Sequence, residues 1–234
     1  MPLLASRDLA RHYTTAGGVV RALDGVSLEI HEGEVVALVG SSGSGKSTLL
    51  NLLGGLDRPT GGELLFRGKN LAQMNPKELA SYRRRDVGMV FQSFNLIPHR
   101  PALDNVTLPM IFEGTAKDVR RRRGEELLES VGLSKRASHR PAELSGGEQQ
   151  RVAICRALAN SPPMILADEP TGNLDSATSA EILALLLALN REQGKTLVLI
   201  THDEHVASMA GRRIRLRDGR IQTDGAAQIP GGVS

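Results

Sequence analysis

The stretch Val35-Val36-Ala37-Leu38-Val39-Gly40-Ser41-Ser42-Gly43-Ser44-Gly45-Lys46-Ser47-Thr48 decides the fold. Val35–Val39 is a short apolar run bounded by Gly33 and Gly40, as a strand buried on both faces requires. Gly40 to Ser47 fits G-x-x-x-x-G-K-[ST], and a helix over Lys46–Leu56 follows. Glycines allow backbone angles that other residues avoid, so successive N–H groups can converge on one point. Together with a helix N-terminus they form a cradle for phosphate oxygens. Lys46 adds a point charge for the β/γ-phosphates and Ser47 a hydroxyl for Mg²⁺. The motif reads as nucleoside-triphosphate binding and nothing finer.

Outward from the cradle, strands are expected at Val26–Ile30, Gly62–Phe66 and Val87–Phe91, with a helix near Pro76–Arg84. From Ser93 to Asn160 helical patterns take over, at Leu103–Phe112, Lys117–Val131 and Gly146–Asn160. Alternation then resumes with a buried strand Met164–Ala167, a helix Ala177–Gln193 and a buried strand Thr196–Thr201. Strands alternating with helices imply a mostly parallel sheet with covered faces. The middle stretch reads as a helical insertion over residues 93–160 in a core formed by 3–92 and 161–224, and 225–234 as a Gly/Ala/Pro-containing flexible tail.

A second chemical group closes the strand Met164-Ile165-Leu166-Ala167-Asp168-Glu169. Ligands of open parallel sheets gather at the carboxyl ends of strands. Asp168 therefore points to the edge that bears the cradle and suits Mg²⁺. Glu169 faces another way, because strand side chains alternate, and is placed to accept a proton from a water attacking the γ-phosphate. A third group, Leu144-Ser145-Gly146-Gly147-Glu148-Gln149, opens a helix and is a second anion site. Two phosphate-binding helix ends on one chain can serve one nucleotide within a molecule, or two molecules can share two nucleotides.

These motifs together resemble the ATP-binding subunit of an ABC transporter, over nearly the whole chain from Leu3 to about Gln222. The resemblance implies a P-loop NTPase (RecA-like) core, an N-terminal antiparallel β-subdomain and an inserted helical subdomain. It makes Gly40, Ser41, Ser42, Gly43, Ser44, Gly45, Lys46, Ser47 and Thr48 the Walker A loop and Met164–Glu169 the Walker B strand. Ser145, Gly146 and Gly147 fall in the signature motif, where Glu148 replaces the usual glutamine. Gln92 resembles the Q-loop glutamine that senses Mg²⁺ and water, Asp175 lies in the D-loop, His202 resembles the switch histidine, and Tyr13 the aromatic that stacks on adenine. The implied assembly is a head-to-tail sandwich of two copies around two ATP molecules, docked to a transmembrane permease. Phe91–Pro98, Leu103–Val106 and Ala167–Ser176 resemble the lipoprotein-release and macrolide-efflux branch, which drives mechanical permeases.

The remaining residues set bounds. Lys and Arg number 29 and Asp and Glu 26, and the aromatic share is 3% without Trp, too little charge and stacking surface to argue a nucleic-acid partner. The arginine runs Arg83–Arg85 and Arg120–Arg123 read as solvated helix faces. The longest apolar run, Ile182–Leu189, falls short of the ~18 residues of a membrane span. One cysteine, Cys155, excludes an internal disulfide framework; it reads as an inert buried thiol in a reduced, cytosolic protein, and the resemblance implies that the permease holds that protein on the inner membrane face. His202 and His205 are three apart without further zinc ligands, and His12, His31, His99 and His139 read as surface or loop residues. Phe91, Phe94 and Phe112 with Val106 and Met110 read either as the core of the helical subdomain or as a groove for a permease helix. A non-transport ATPase of the same superfamily, in chromosome maintenance, repair or translation, would need a coiled coil, a second cassette or zinc modules. A small-molecule P-loop kinase would leave Leu144–Gln149 without a role.

Overall fold

A computed structural model describes residues 1–226. Two sheets form it. Strands β1 (Leu4–Thr15), β2 (Gly18–Ile30), β4 (Gly61–Phe66) and β5 (Lys69–Asn70) make an antiparallel sheet in the order β2-β1-β4-β5. Strands β3 (Val35–Val39), β6 (Val87–Phe91), β7 (Met164–Asp168), β8 (Thr196–Ile200), β9 (Arg212–Arg217) and β10 (Arg220–Ala226) make the second, in the order β10-β9-β3-β8-β7-β6. All its pairings are parallel except β9 with β10.

Strand alternation divides the core between the two faces of this sheet. Leu166, Val198 and Ile200 pack with the antiparallel sheet, α1 (Lys46–Leu53) and α2 (Pro76–Arg85). Ile165, Ala167, Leu197 and Leu199 pack with α5 (Gly146–Leu158) and α6 (Ser176–Gln193), and α3 (Ala102–Phe112) and α4 (Lys117–Ser130) join that layer through Val106, Met110, Leu127 and Leu128. The helical insertion therefore shares its core with the sheet. Val106 and Met110 are interior, whereas Ile111 and Phe112 are exposed, Phe112 at 66%. The apolar cluster read from the sequence is therefore only partly interior. Cys155 is fully buried, its thiol donating to the Leu127 carbonyl at 3.1 Å and pushed up to about 12 by burial.

Helix α1 stops three residues before the expected Leu56, because Gly54 caps it and Gly55 turns away at φ 63°. The hairpin β9–β10 had no sequence assignment: arginines at 212, 213, 215 and 217 mask the buried Ile214 and Leu216, while the Asp218-Gly219 turn has φ 49° and 73°, a hairpin signature. Gly225 and Ala226 pair with Arg213 and Arg212 in this hairpin, so the expected flexible tail does not begin at 225; positions 227–234 of that tail lie outside the described residues. His12 lies within β1, 3.3 Å from Asp24. No helix among the described residues is long and apolar enough to cross a membrane.

Candidate functional site

The carboxyl ends of β3, β7 and β8 converge on one cleft of about 750 Å³, within the usual range for small-molecule sites. Gly40, Ser42, Gly43, Gly45, Lys46, Ser47 and Thr48 line it from the loop and the start of α1, and Tyr13, Val20 and Ala22 from the β1–β2 hairpin. Glu169, His202 and Asp218 complete the rim. Two glycines are required by contact. A Cβ on Gly40, at φ 153°, would lie 2.3 Å from the Leu216 carbonyl oxygen, and one on Gly45, at φ 103°, 2.4 Å from that of Ala22. Gly45 also gives α1 an N-cap without a capping side chain, so its first N–H groups face the cleft. Lys46 is 8% exposed, and its ammonium donates to the carbonyls of Gly40 and Ser41, each at 2.9 Å. Ser41 thus serves through its backbone, and the Ser44 hydroxyl is buried without a partner.

Burial and the adjacent Glu169 raise the Asp168 carboxyl above the usual range, opposed by a hydrogen bond from Ser47 and by the charge of Lys46. Ser47 at the start of α1 and Asp168 at the end of β7 are hard oxygen donors, which fits Mg²⁺ held by one or two protein oxygens plus phosphates. Among the described residues no group of three or more His, Cys, Asp or Glu side chains could hold a metal alone. Glu169 leaves β7 in a left-handed conformation at φ 44°. Its N–H donates to the Ile200 carbonyl at 3.0 Å, and its Oε1 lies 3.2 Å from Nδ1 of His202.

Gln92 does not line the cleft. Its amide donates to Oδ1 of Asn173 at 3.4 Å, its carbonyl accepts from Nδ2 of Asn173 at 3.0 Å, and it packs against Gly172. Asp175 caps α6, accepting from the N–H and hydroxyl of Thr178 at 3.0 and 2.6 Å. Ser145, Gly146 and Gly147 also lie outside the cleft, at the start of α5. Ser145 Oγ accepts from the Glu148 N–H at 3.2 Å, and the Glu148 carboxylate accepts from the Ser145 N–H at 2.8 Å, a closed capping box. The Ser145 hydrogen bond holds Glu148 below the usual carboxylate range, and Arg136, 3.0 Å away, adds to this. The N–H groups of Gly146 and Gly147 have no intrahelical acceptor. A Cβ on Gly147 would meet the Thr178 methyl at 2.4 Å, so packing alone also requires glycine there.

Three further residues were not singled out from the sequence. Gln150 is fully buried, and its amide donates to the carbonyls of Pro170 and Phe91 while its Oε1 has no partner. It thereby ties α5 to the neighbours of both Glu169 and Gln92. Arg156 donates to the carbonyls of Phe94 and Asn95, both left-handed at φ 60° and 50°. Asp57 accepts from the Tyr13 hydroxyl at 2.8 Å. Gln150 and Arg156 follow Gly147 on the same helix, the only signal the sequence offered.

The ABC transporter family model matches residues 23–172. A macrolide export ATP-binding/permease protein MacB of Hyphomonas neptunium is 51% identical over 95% of this chain, and the chain spans about a third (34%) of that relative's length. An uncharacterized ABC transporter ATP-binding protein of Thermotoga maritima is 54% identical over 92% of both chains. A dimeric structure of the ATP-binding cassette MJ0796 in a post-hydrolysis state, bound to ADP and Pi, has a TM-score of 0.89 and 45% identity, covering 96% of this chain and 99% of that one. The chain thus belongs to the ABC transporter family as an ATP-binding domain of the ABC ATPase class.

Proposed function

We propose that this chain is the ATP-hydrolysing motor of a membrane transporter, acting as a head-to-tail pair of copies that drives a permease of the lipoprotein-release or macrolide-efflux kind. The observation that carries the reading is the convergence on one rim of an uncapped helix N-terminus, the Lys46 ammonium and the Glu169–His202 pair. Lys46 exchanges two carbonyl dipoles for phosphate charge. Ser47 and Asp168 would hold Mg²⁺, which neutralises developing charge on the phosphate oxygens when bound. Tyr13 receives the adenine. Glu169 accepts the proton of the attacking water, and His202 orients Glu169 and reaches the γ-phosphate.

Ser145 does not line the cleft of its own chain, which supports a role for the signature turn at another copy's cleft. The turn's free N–H groups suit the γ-phosphate of a nucleotide held by a second copy, which supports the sandwich. Gln92 reaches the metal only by leaving Asn173, so closure of the pair and release of that contact go together. The exposed Phe112 and Ile111 on α3, whose Pro109 lines a groove of about 250 Å³ together with Met89, Phe91, Arg83, Arg84 and Arg156, suit a permease helix. The relatives named ATP-binding/permease proteins support a partner of that type. Docked permease keeps the chain at the cytoplasmic membrane face.

Lys46→Ala tests the cradle: turnover and Mg-ATP affinity are both expected to be lost, and an unchanged rate contradicts the reading. Purification from solubilised membranes tests the partner: a multi-span protein that stimulates turnover is expected, and chain recovered only without one contradicts it.

A further inference from the structure

Tyr13 is held at both its hydroxyl and its ring. Its hydroxyl donates to Oδ2 of Asp57 at 2.8 Å, and Arg11 Nε donates to the same oxygen at 2.8 Å. The other Asp57 oxygen accepts from the Arg58 N–H at 2.7 Å. The guanidinium of Arg11 lies 4.4 Å from the centroid of the Tyr13 ring, within cation–π range. Tyr13 lines the cleft and Arg11 and Asp57 do not, so the guanidinium backs the ring from outside. Across the hairpin, Val20 pairs with Tyr13 and also lines the cleft, 52% exposed. Ring and valine leave an apolar wall uncovered beside a polar phosphate cradle.

The anchor of this wall is placed by the cradle's own helix. Asp57 stands on the turn that ends α1, where the N–H groups of Leu56 and Asp57 donate to the Asn51 carbonyl at 2.8 and 3.3 Å. Helix α1 starts at Lys46. A helix of eight residues, about 12 Å long, and the turn after it therefore link Lys46 to the group that holds the ring. A ring already clamped loses no rotamer freedom when a flat ligand stacks on it, which raises affinity.

We propose that Asp57 and Arg11 are positioning residues that fix the Tyr13 ring as a stacking platform, so that the site favours a triphosphate bearing a base over a bare one. The proposal rests on the reading of Tyr13 as the base-stacking residue. The clamp spans 44 residues of sequence between Tyr13 and Asp57, and the shared oxygen makes the two donors act as a unit.

Calorimetric titration of the intact chain with Mg-ATP and with Mg-tripolyphosphate tests it. Tyr13→Phe keeps the ring and cuts only its tether; Asp57→Ala removes the anchor. Each is expected to weaken ATP by about threefold to tenfold, a share of the stacking energy of one base, and the double variant to lose no more than either alone. Tripolyphosphate affinity is expected to stay at the wild-type value in all three. If Tyr13→Ala weakens ATP while Tyr13→Phe and Asp57→Ala do not, stacking stands and the clamp is overturned. If Tyr13→Ala also binds ATP as the wild type does, the stacking reading falls and the clamp with it. Equal loss of ATP and tripolyphosphate in Tyr13→Phe and Asp57→Ala overturns the proposal as well, because the residues then support the whole site and not the base.

Discussion

Oε1 of Glu169 lies 3.2 Å from Nδ1 of His202, a contact made across the ends of two adjacent strands. The left-handed backbone of Glu169 brings its side chain to the rim that His202 also occupies. Such a conformation costs a non-glycine residue about 1–2 kcal/mol, strain of the kind that marks candidate functional positions. His202→Ala removes the orienting partner but leaves the cradle. Its kcat is expected to fall on the order of 100-fold, the scale of a misplaced general base, with KM nearly unchanged. A large rise in KM at full kcat contradicts the orienting role.

The capping box of the signature turn has a pH signature. The hydrogen bond from the Ser145 N–H, aided by Arg136, lowers the Glu148 pKa in the fold. A carboxylate lowered by folding contributes stability above its unfolded pKa, and that contribution is lost as pH falls through the folded value. The stability difference between wild type and Glu148→Ala is therefore expected to be about 1 kcal/mol at neutral pH, the worth of a cap, and to vanish in acid. Denaturant melts at several pH values measure it; a difference that grows in acid contradicts the assignment.

Glu148 also sets a negative charge on the turn that is read as facing a partner's γ-phosphate. Arg136 neutralises it at 3.0 Å. Arg136→Gln is expected to weaken ATP-driven pairing by about twofold to fivefold, the energy of one charge at a helix end. In a Glu148→Gln background the same change is expected to do nothing. Equal effects of Arg136→Gln in both backgrounds contradict the electrostatic account.

The amide of Gln150 bonds to the carbonyls flanking both Gln92 and Glu169. Gln150→Leu fills the same space and strands those acceptors. It is expected to lower stability by about 1–3 kcal/mol and to lower kcat of the folded chain more than it shifts KM. Full kcat in a folded Gln150→Leu chain contradicts a positioning role and leaves packing alone.

The cradle, β7 and β8 were legible because a doubly covered strand is a plain apolar run and a phosphate loop needs glycines at fixed places. Helix and strand limits differ by a few residues where local caps decide, as Gly54 and Gly55 do for α1. The hairpin Arg212–Ala226 was not legible, because ion pairs such as Arg212 with Glu34 and Asp224 solvate a strand that sequence hydropathy discounts. The arrangement of the candidate residues was not legible. Nothing in the spacing of Gln92 and Asn173, 81 residues apart, reveals that they bond to one another, or that Asp57 holds Tyr13. The wording of Ser145–Gly147 was plain, yet only folding shows that it lies apart from the cleft of its own chain.

In the proposed sandwich two copies jointly enclose each triphosphate, each giving part of the ligands. The most direct measurement is the solution mass of Glu169→Gln by light scattering after size exclusion, with Mg-ATP and with Mg-ADP. The expected result is twice the chain mass with ATP, the single-chain mass with ADP, and loss of the ATP-bound pair when Ser145→Arg is added. A chain that binds ATP yet stays a single copy in Glu169→Gln, indifferent to Ser145→Arg, contradicts it.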